Sequence, residues 1–191
     1  PEKAAIPSLL AVGGVHHHLV RRGKRHLSAL FIETGEAREV HHLACLIGFG
    51  ASGVNPYLAF ETIQDLVERG SLRSGLSAQE AFENYITALK KGLLKILSKM
   101  GISTLRSYRG SQIFEALGIG PELIDLCFSG TPSRIGGIGF TELERERLAM
   151  HRQAFAEGGE PDPELTLPSG GLYQSRRDGE RHLFSPEAIV A

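Results

Sequence analysis

Short apolar runs alternate with amphipathic segments along the first two-thirds of the chain. The runs at residues 6–12, 27–32 and 53–58 have the length and composition of β-strands. Helices are predicted between them, at residues 15–22 and at about 37–47, and each ends near a glycine that lets the backbone turn. Because these connections are long enough to hold a helix, the strands are predicted to be parallel, with helices on the sheet faces.

The alternation continues to about residue 155. The clearest helix opens at Ser77, which has Glu80 at the spacing of a capping box, and its apolar residues recur with helical period as far as Met100. The remaining predicted elements are helices at 60–69, 111–117, 121–127 and 141–155, a strand at 102–105 and a Gly-rich loop at 129–139.

The composition changes after Glu157. Residues 158–171 have the glycine and proline content of a linker, and residues 173–184 are predicted to form a polar hairpin or extended segment that turns at Asp178-Gly179. The chain begins without an initiator Met and stops as a last predicted helix begins at Ser185-Pro186, so we expect a piece of a longer protein. We therefore divide the chain into an α/β domain at residues 1–157 and an irregular linker at residues 158–191.

Composition narrows the classes of partner. The formal net charge is −1, so there is no electrostatic reason to expect nucleic acid or a charged membrane surface. No apolar run approaches the roughly 20 residues that cross a bilayer, and the first residues lack the pattern of a signal peptide. The two cysteines, Cys45 and Cys127, lie in apolar stretches and are expected to be buried thiols in a reducing compartment.

Three polar residues follow predicted strands, namely His16, Glu33 and Asn55. The C-terminal ends of parallel strands meet at one edge of a sheet, where α/β folds place their sites. We therefore expect these three side chains to lie near one edge, a geometric expectation that implies no ligand.

Five of the eight histidines form two clusters, at residues 16–18 and 41–42. A metal site could draw ligands from both clusters, since the two predicted helices follow adjacent strands. However, consecutive residues of a helix point in different directions, and neither HExxH nor paired CxxC spacing is present. The alternative is that one histidine of each cluster hydrogen-bonds in the core while the others face solvent or a neighbouring domain.

Glu33, Glu36 and Glu39 lie close together in sequence and could act as an acid and a base. The alternative is structural: Thr34 is the predicted N-cap of the 37–47 helix, and Glu36 in the following turn suits the helix dipole. In that interpretation a carboxylate pairs with a neighbour such as Arg38.

The Gly-rich stretch at residues 134–139 precedes a predicted helix and could hold an anion through backbone N–H groups. It has neither the full GxGxxG order nor GxxxxGK[ST] spacing, and its glycines could instead allow close passage of the backbone. GxSxG is also missing, and neither cysteine has a clear His partner in sequence. We assign no catalytic, cofactor-binding or metal-binding residue from the sequence.

Several strings, in this order, resemble one family. They are IPSLLAV (6–12), VHHHL (15–19), ETGEAREVHH (33–42), GFGA (48–51), VNPYLAFE (54–61), SKMGIST (98–104), SYRGSQIFEA (107–116), GTPSRIGG (130–137) and RDGE (177–180). Together they cover nearly the whole chain and resemble the large subunit of glutamate synthase. Phe49 and Ser52 depart from the family, which tends to Tyr and an acidic residue at these positions.

The resemblance implies the C-terminal part of the central domain at residues 1–157, and the connector into the FMN-binding domain at residues 158–191. It implies an α/β fold of alternating βα units with mostly parallel strands, similar to a partial or rudimentary (β/α) barrel and followed by an irregular linker. The whole enzyme is an oxidoreductase acting on CH–NH2 donors, which converts glutamine and 2-oxoglutarate to two glutamates using FMN and an iron–sulfur cluster.

By the same resemblance, this stretch has no counterpart of the amidotransferase cysteine, the iron–sulfur cysteines or the main flavin-binding stretch. Its implied role is a scaffold that holds the amidotransferase and FMN-binding domains of the same chain in register and helps enclose the ammonia channel. The electron donor would be a small subunit or ferredoxin, and the location the cytoplasm or a plastid stroma. A stand-alone α/β domain that binds a small ligand or anion is the alternative.

Overall fold

The computed structural model describes residues 3–72, 75–111 and 113–155. They contain helices and short strands in alternation: α1 (Ser8–Arg21), a 3₁₀ turn (Arg25–Leu27), β1 (Phe31–Glu33), α2 (Val40–Gly48), β2 (Gly53–Asn55), α3 (Tyr57–Glu68), α4 (Ala78–Lys99), α5 (Leu105–Tyr108), β3 (Leu117–Ile119), α6 (Pro121–Cys127), β4 (Ile135–Ile138) and α7 (Phe140–Ala154). The linker, hairpin and final helix predicted after residue 157 lie outside the described residues, so the predicted domain boundary stays a prediction.

The strands form two parallel pairs, each joined through a helix. β1 pairs with β2 in the register Phe31↔Gly53 and Glu33↔Asn55, with α2 in the connection. β3 pairs with β4, with α6 in the connection and an irregularity in the register. The predicted α/β class with parallel strands is therefore confirmed, as two separate two-stranded sheets that do not close into a barrel within the described residues.

The described residues divide into two units: Ala5–Arg147, and a second unit that includes residues 3–4 and 148–155. In the first unit α1 packs on α2 and α6, and α4 packs on α2 and α3. One core cluster unites Val12, Ala37, Leu46 and Ala51. In the second unit the described residues from Leu148 onward continue α7, where the ring of His151 lies 4.9 Å from that of Phe155.

Tyr108 fixes the one-turn helix α5 to the core. Its side chain is fully buried, and its hydroxyl donates to the carbonyl of Ala44 in α2 at 3.1 Å. Burial, with the Cys45 thiol close by, raises the pKa of Tyr108 to about 12, so the phenol stays a neutral donor. Thr104 opens α5 by accepting from the Ser107 N–H at 3.3 Å.

The strand predicted at residues 6–12 is wrong, because most of this run belongs to α1, which continues through Gly13 and Gly14. The glycines do not break the helix, since Gly13 is where α6 comes closest. A Cβ on Gly13 would lie 2.3 Å from the carbonyl oxygen of Cys127. Val12 of this run therefore lies in the core from within a helix, and the partly buried Leu9 packs against the same cluster.

Two further predictions are wrong. Residues 102–105 form no strand, because the Ile102 N–H donates to the carbonyl of Leu97 at the end of α4 at 2.9 Å and Thr104 is already the N-cap residue of α5. Residues 111 and 113–116 form no helix, and the Ala116 N–H instead donates to the distant carbonyl of Pro132 at 2.9 Å. Part of the predicted 129–139 loop is instead β4.

Other elements were predicted with shifted ends. The run at 27–32 is divided between the 3₁₀ turn and β1. The strand predicted at 53–58 ends at Asn55, because Pro56 is the N-cap residue of α3. The helix predicted from residue 37 begins at Val40. The α4 capping box is confirmed: the Glu80 N–H donates to Ser77 Oγ at 3.3 Å, and the Ser77 N–H donates to the Glu80 carboxylate at 2.9 Å.

Candidate functional site

The predicted strand-end edge brings together two of its three residues. Glu33 and Asn55 end β1 and β2 as register partners, and the Asn55 amide donates to the Glu33 carboxylate at 3.4 Å. His16 does not follow a strand, because the run before it is helical, and it lies within α1. The edge therefore carries one exposed polar pair.

The histidine clusters have separate local partners. In α1, His16 Nδ1 accepts from Arg25 Nε at 2.9 Å, and the His16 and His17 rings meet edge to face. In α2, His41 Nε2 lies 3.6 Å from the Cys45 sulfur, and His42 Nδ1 accepts from the backbone N–H of Arg38 at 3.2 Å. Within the described residues no three His, Cys, Asp or Glu side chains are grouped as a metal ion would require.

The expectation that neither cysteine has a His partner is wrong for Cys45, whose sulfur lies 3.6 Å from His41 Nε2, but burial still keeps both thiols protonated. Burial raises the pKa of Cys45 to about 11, and burial also raises the pKa of Cys127 despite the nearby Arg21. Both stay protonated at neutral pH, as expected of structural thiols.

Glu36 has a structural role that joins distant segments. Its carboxylate accepts from the backbone N–H of Ser8 at the start of α1 at 2.7 Å, and pairs with Arg147 of α7 at 2.5 Å. Arg147 Nε also donates to the carbonyl of Ala5 at 3.2 Å. Burial alone would raise the pKa of Glu36, but the Ser8 hydrogen bonds and the Arg147 guanidinium lower it.

The structural interpretation of the acidic residues is thus correct, because Glu36 caps a helix and pairs with an arginine, but both the helix and the arginine differ from those predicted. Glu36 caps α1 and not α2, and it pairs with Arg147 and not with Arg38. Thr34 does not cap α2: its hydroxyl accepts from the Glu36 N–H at 3.0 Å, and Glu39 is the N-cap residue.

The Gly-rich stretch at residues 134–139 has its helix end occupied. Residues 135–138 form β4, and the Gly139 N–H donates to the Glu142 carboxylate at 2.8 Å. This bond lowers the pKa of Glu142. Because the chain's own carboxylate already sits at the start of α7, a second anion there would meet a like charge.

A cavity of about 630 Å³ lies where α1, the 3₁₀ turn and α5 approach one another. Three arginines and two histidines are among its described lining residues: His16, Arg25, His26, Leu27, Ser28, Ala29, Ser52, Arg106 and Arg109. No carboxylate is among these residues. We call this site the arginine cavity.

Arg25 is held in place on one wall of the arginine cavity. Its Nη1 donates to the carbonyl of Ser28, and its Nη2 donates to the carbonyl of Gly50 at 2.7 Å. Gly50 adopts φ of +117°, and a Cβ there would lie 2.2 Å from His16 Nδ1. Only glycine therefore lets the turn after α2 support both His16 and Arg25.

Burial and the closeness of positively charged side chains lower the pKa values of His16 and Arg25 in the arginine cavity. Burial, followed by His17, Arg25 and Arg109, lowers the pKa of His16 to about 4, so the ring is neutral at neutral pH. Burial and the Arg109 guanidinium also lower the pKa of Arg25. On the other wall, Arg109 Nη1 donates to Ser52 Oγ at 3.2 Å.

Sequence reasoning missed this cavity as a site. Its guanidinium groups come from residue 25 and from residues 106 and 109, and no local motif connects these positions. The available signal was the occurrence of two arginines, Arg106 and Arg109, only three positions apart, and in the structure Arg109 lies just beyond α5 in extended backbone. That signal is too common to indicate a site by itself.

Comparison with known proteins finds one family. The family model of the glutamate synthase central domain matches residues 1–120. The glutamate synthase (NADPH) large chain of Bacillus subtilis is 46% identical over 96% of this chain and 12% of its own length. The ferredoxin-dependent glutamate synthase of Pyropia yezoensis is 48% identical over 100% of this chain and 13% of its own. The chain thus spans about a tenth of the length of the curated relatives it matches.

Proposed function

Because this chain belongs to the glutamate synthase family, we propose that it works as the inter-domain scaffold of such an enzyme. The enzyme would convert glutamine, 2-oxoglutarate and a reductant to two glutamates. This segment would hold an amidotransferase domain and an FMN-binding domain in register and help enclose the route of ammonia between them.

The observation that carries the proposal is the apolar surface of the two strand pairs. Phe31 of β1 is 79% exposed, Leu117 of β3 is 67% exposed and Ile135 of β4 is 63% exposed. Within the described residues each sheet has two strands, so its edges pair with no third described strand. Large exposed apolar side chains on open sheets are typical of surfaces that other domains cover.

The remaining parts of the proposal concern the whole enzyme. FMN and an iron–sulfur cluster would be bound elsewhere in it, and a small electron-donating subunit or ferredoxin would supply electrons. The location would be the cytoplasm or a plastid stroma. Among the described residues, no helix has the length and apolar character needed to cross a membrane.

The test measures how tightly glutamine hydrolysis is coupled to glutamate formation in the enzyme that contains this chain. Phe31→Ser removes an exposed apolar ring, and Lys91→Ser is the control, since Lys91 is exposed on α4. We expect Phe31→Ser to release free ammonia and to lower the glutamate formed per glutamine from two toward one. Ammonia release equal to that of wild type and of Lys91→Ser would contradict a scaffold role for this surface.

A second measurement tests whether the catalytic and flavin-binding residues lie in other parts of the enzyme. The purified 191-residue chain is expected to make no glutamate from glutamine and 2-oxoglutarate, and to show no flavin absorbance. A yellow, active preparation would refute this assignment.

A further inference from the structure

The arginine cavity concentrates positive charge without a counter-charge. Arg25, Arg106 and Arg109 line it, and among the residues that the structure describes no Asp or Glu does. The ion pairs found among the described residues involve other cations. We infer that this cavity binds a small molecule through an oxyanion, a carboxylate or a phosphate. The inference does not depend on the proposed scaffold role.

Unfilled donor capacity supports an oxyanion. A guanidinium carries five N–H donors, and Arg25 directs three of its nitrogens to His16, Ser28 and Gly50. Arg109 has one bond, to Ser52, and Arg106 makes no hydrogen bond with a described residue. Oxyanions accept paired N–H groups from guanidinium forks, so they match what these side chains still offer.

The two walls differ in a way that suits binding. Arg25 is partly buried and anchored, so its position is set before a ligand arrives. Arg106 on α5 and Arg109, the residue that follows α5, are both exposed, and the fully buried Tyr108 between them anchors this segment. A fixed wall lowers the ordering cost of binding, while the exposed Arg106 side chain can close on the anion and Arg109 can add the donors that it does not use for Ser52.

Size and electrostatics agree with this assignment. The cavity of about 630 Å³ has room for a small molecule and is widely open to solvent, so a ligand could enter without any opening motion. The Arg109 guanidinium lowers the pKa of both Arg25 and His16, so the cations repel one another. A bound anion would replace that repulsion with attraction. The hydrogen bond from Arg25 to the neutral His16 could remain in place when the anion binds.

The test is thermal unfolding of the full 191-residue chain with inorganic phosphate or with succinate, at ionic strength held constant with KCl. At ten times the Kd we expect a rise in Tm of about 3 °C. Phosphate also stabilises proteins generally through exclusion from their surface, and that effect needs no particular arginine. The variants therefore decide the result.

Arg106→Gln and Arg109→Gln are each expected to weaken binding roughly tenfold or more, since each removes charged hydrogen bonds. Lys95→Gln is the control, because it removes one exposed positive charge on α4 outside the cavity lining. Arg106→Gln should have the Tm of wild type in KCl alone, which keeps the test independent of folding.

A saturable rise that is lost in the arginine variants and kept in Lys95→Gln would support the site. Its appearance with phosphate or with succinate would assign the class of oxyanion. If neither anion gives a saturable rise, or if the rise is equal in all variants, the inference is overturned.

Discussion

Two neighbouring glycines of α1 should respond in opposite directions to the same substitution. Gly13 and Gly14 both lie inside the helix, where an alanine in place of glycine stabilises by up to about 1 kcal/mol through backbone propensity alone. Their surroundings differ. A Cβ on Gly13 would lie 2.3 Å from the Cys127 carbonyl oxygen and 2.9 Å from the Phe128 ring, whereas on Gly14 it would lie 3.4 Å from the Cys127 sulfur.

The first contact is an overlap with backbone, so α6 would have to move away from α1. Overpacking of this kind costs about 1–3 kcal/mol, which exceeds the gain in propensity. We therefore expect Gly13→Ala to destabilise by up to about 2 kcal/mol after the propensity gain is subtracted. The contact at Gly14 is ordinary van der Waals packing, so Gly14→Ala should stabilise by up to about 1 kcal/mol.

The assay is equilibrium unfolding of the purified chain in urea, followed by circular dichroism at 222 nm. The two midpoints should move in opposite directions while the slopes stay equal. If both variants are stabilised, the close approach of α1 and α6 is refuted; if both are destabilised to a similar extent, the packing at Gly14 is as tight as that at Gly13.

Three further outcomes follow from named contacts. Tyr108→Phe should lower the free energy of unfolding by about 1 kcal/mol, because the Ala44 carbonyl loses its partner, and Tyr108→Ala by about 3–5 kcal/mol; equal urea midpoints for wild type and Tyr108→Phe would contradict this. Glu36→Gln should cost about 1 kcal/mol at pH 7, a value reduced for partial exposure. Since the folded pKa of Glu36 is lowered from 4.5, its contribution is present above that pH and is lost as the pH falls through the folded pKa, so the two urea midpoints should converge in acid; a constant difference would argue against it. Ser77→Ala should cost about 1 kcal/mol in thermal unfolding, and Ser77→Asp, which can still cap α4, should cost less.

The sequence predicted the elements whose signals are local. The capping box at Ser77 and Glu80 defined the start of α4, and Pro121 stands at the start of the predicted and observed α6. The errors came where distant partners decide. The glycines inside α1 were interpreted as a break because the cause of their presence, the Cys127 carbonyl, lies more than 100 positions away in the chain.

The same distinction holds for the candidate sites. Glu33 and Asn55 were predicted to meet, because parallel strands align their ends by rule. The arginine cavity was not predicted, since it depends on how α5 docks. That docking rests on the burial of Tyr108, which no pattern around Arg106 and Arg109 reveals.

The contacts of Arg147 have a consequence for how this unit can be built into a longer polypeptide. One guanidinium joins the carbonyl of Ala5 and the carboxylate of Glu36, so the first and last residues of the unit Ala5–Arg147 are held together. A polypeptide can thus enter and leave the unit at one point, as inserted and circularly permuted domains require. Joining residues 5 and 147 with a short peptide and opening the chain at an exposed turn should therefore preserve the fold.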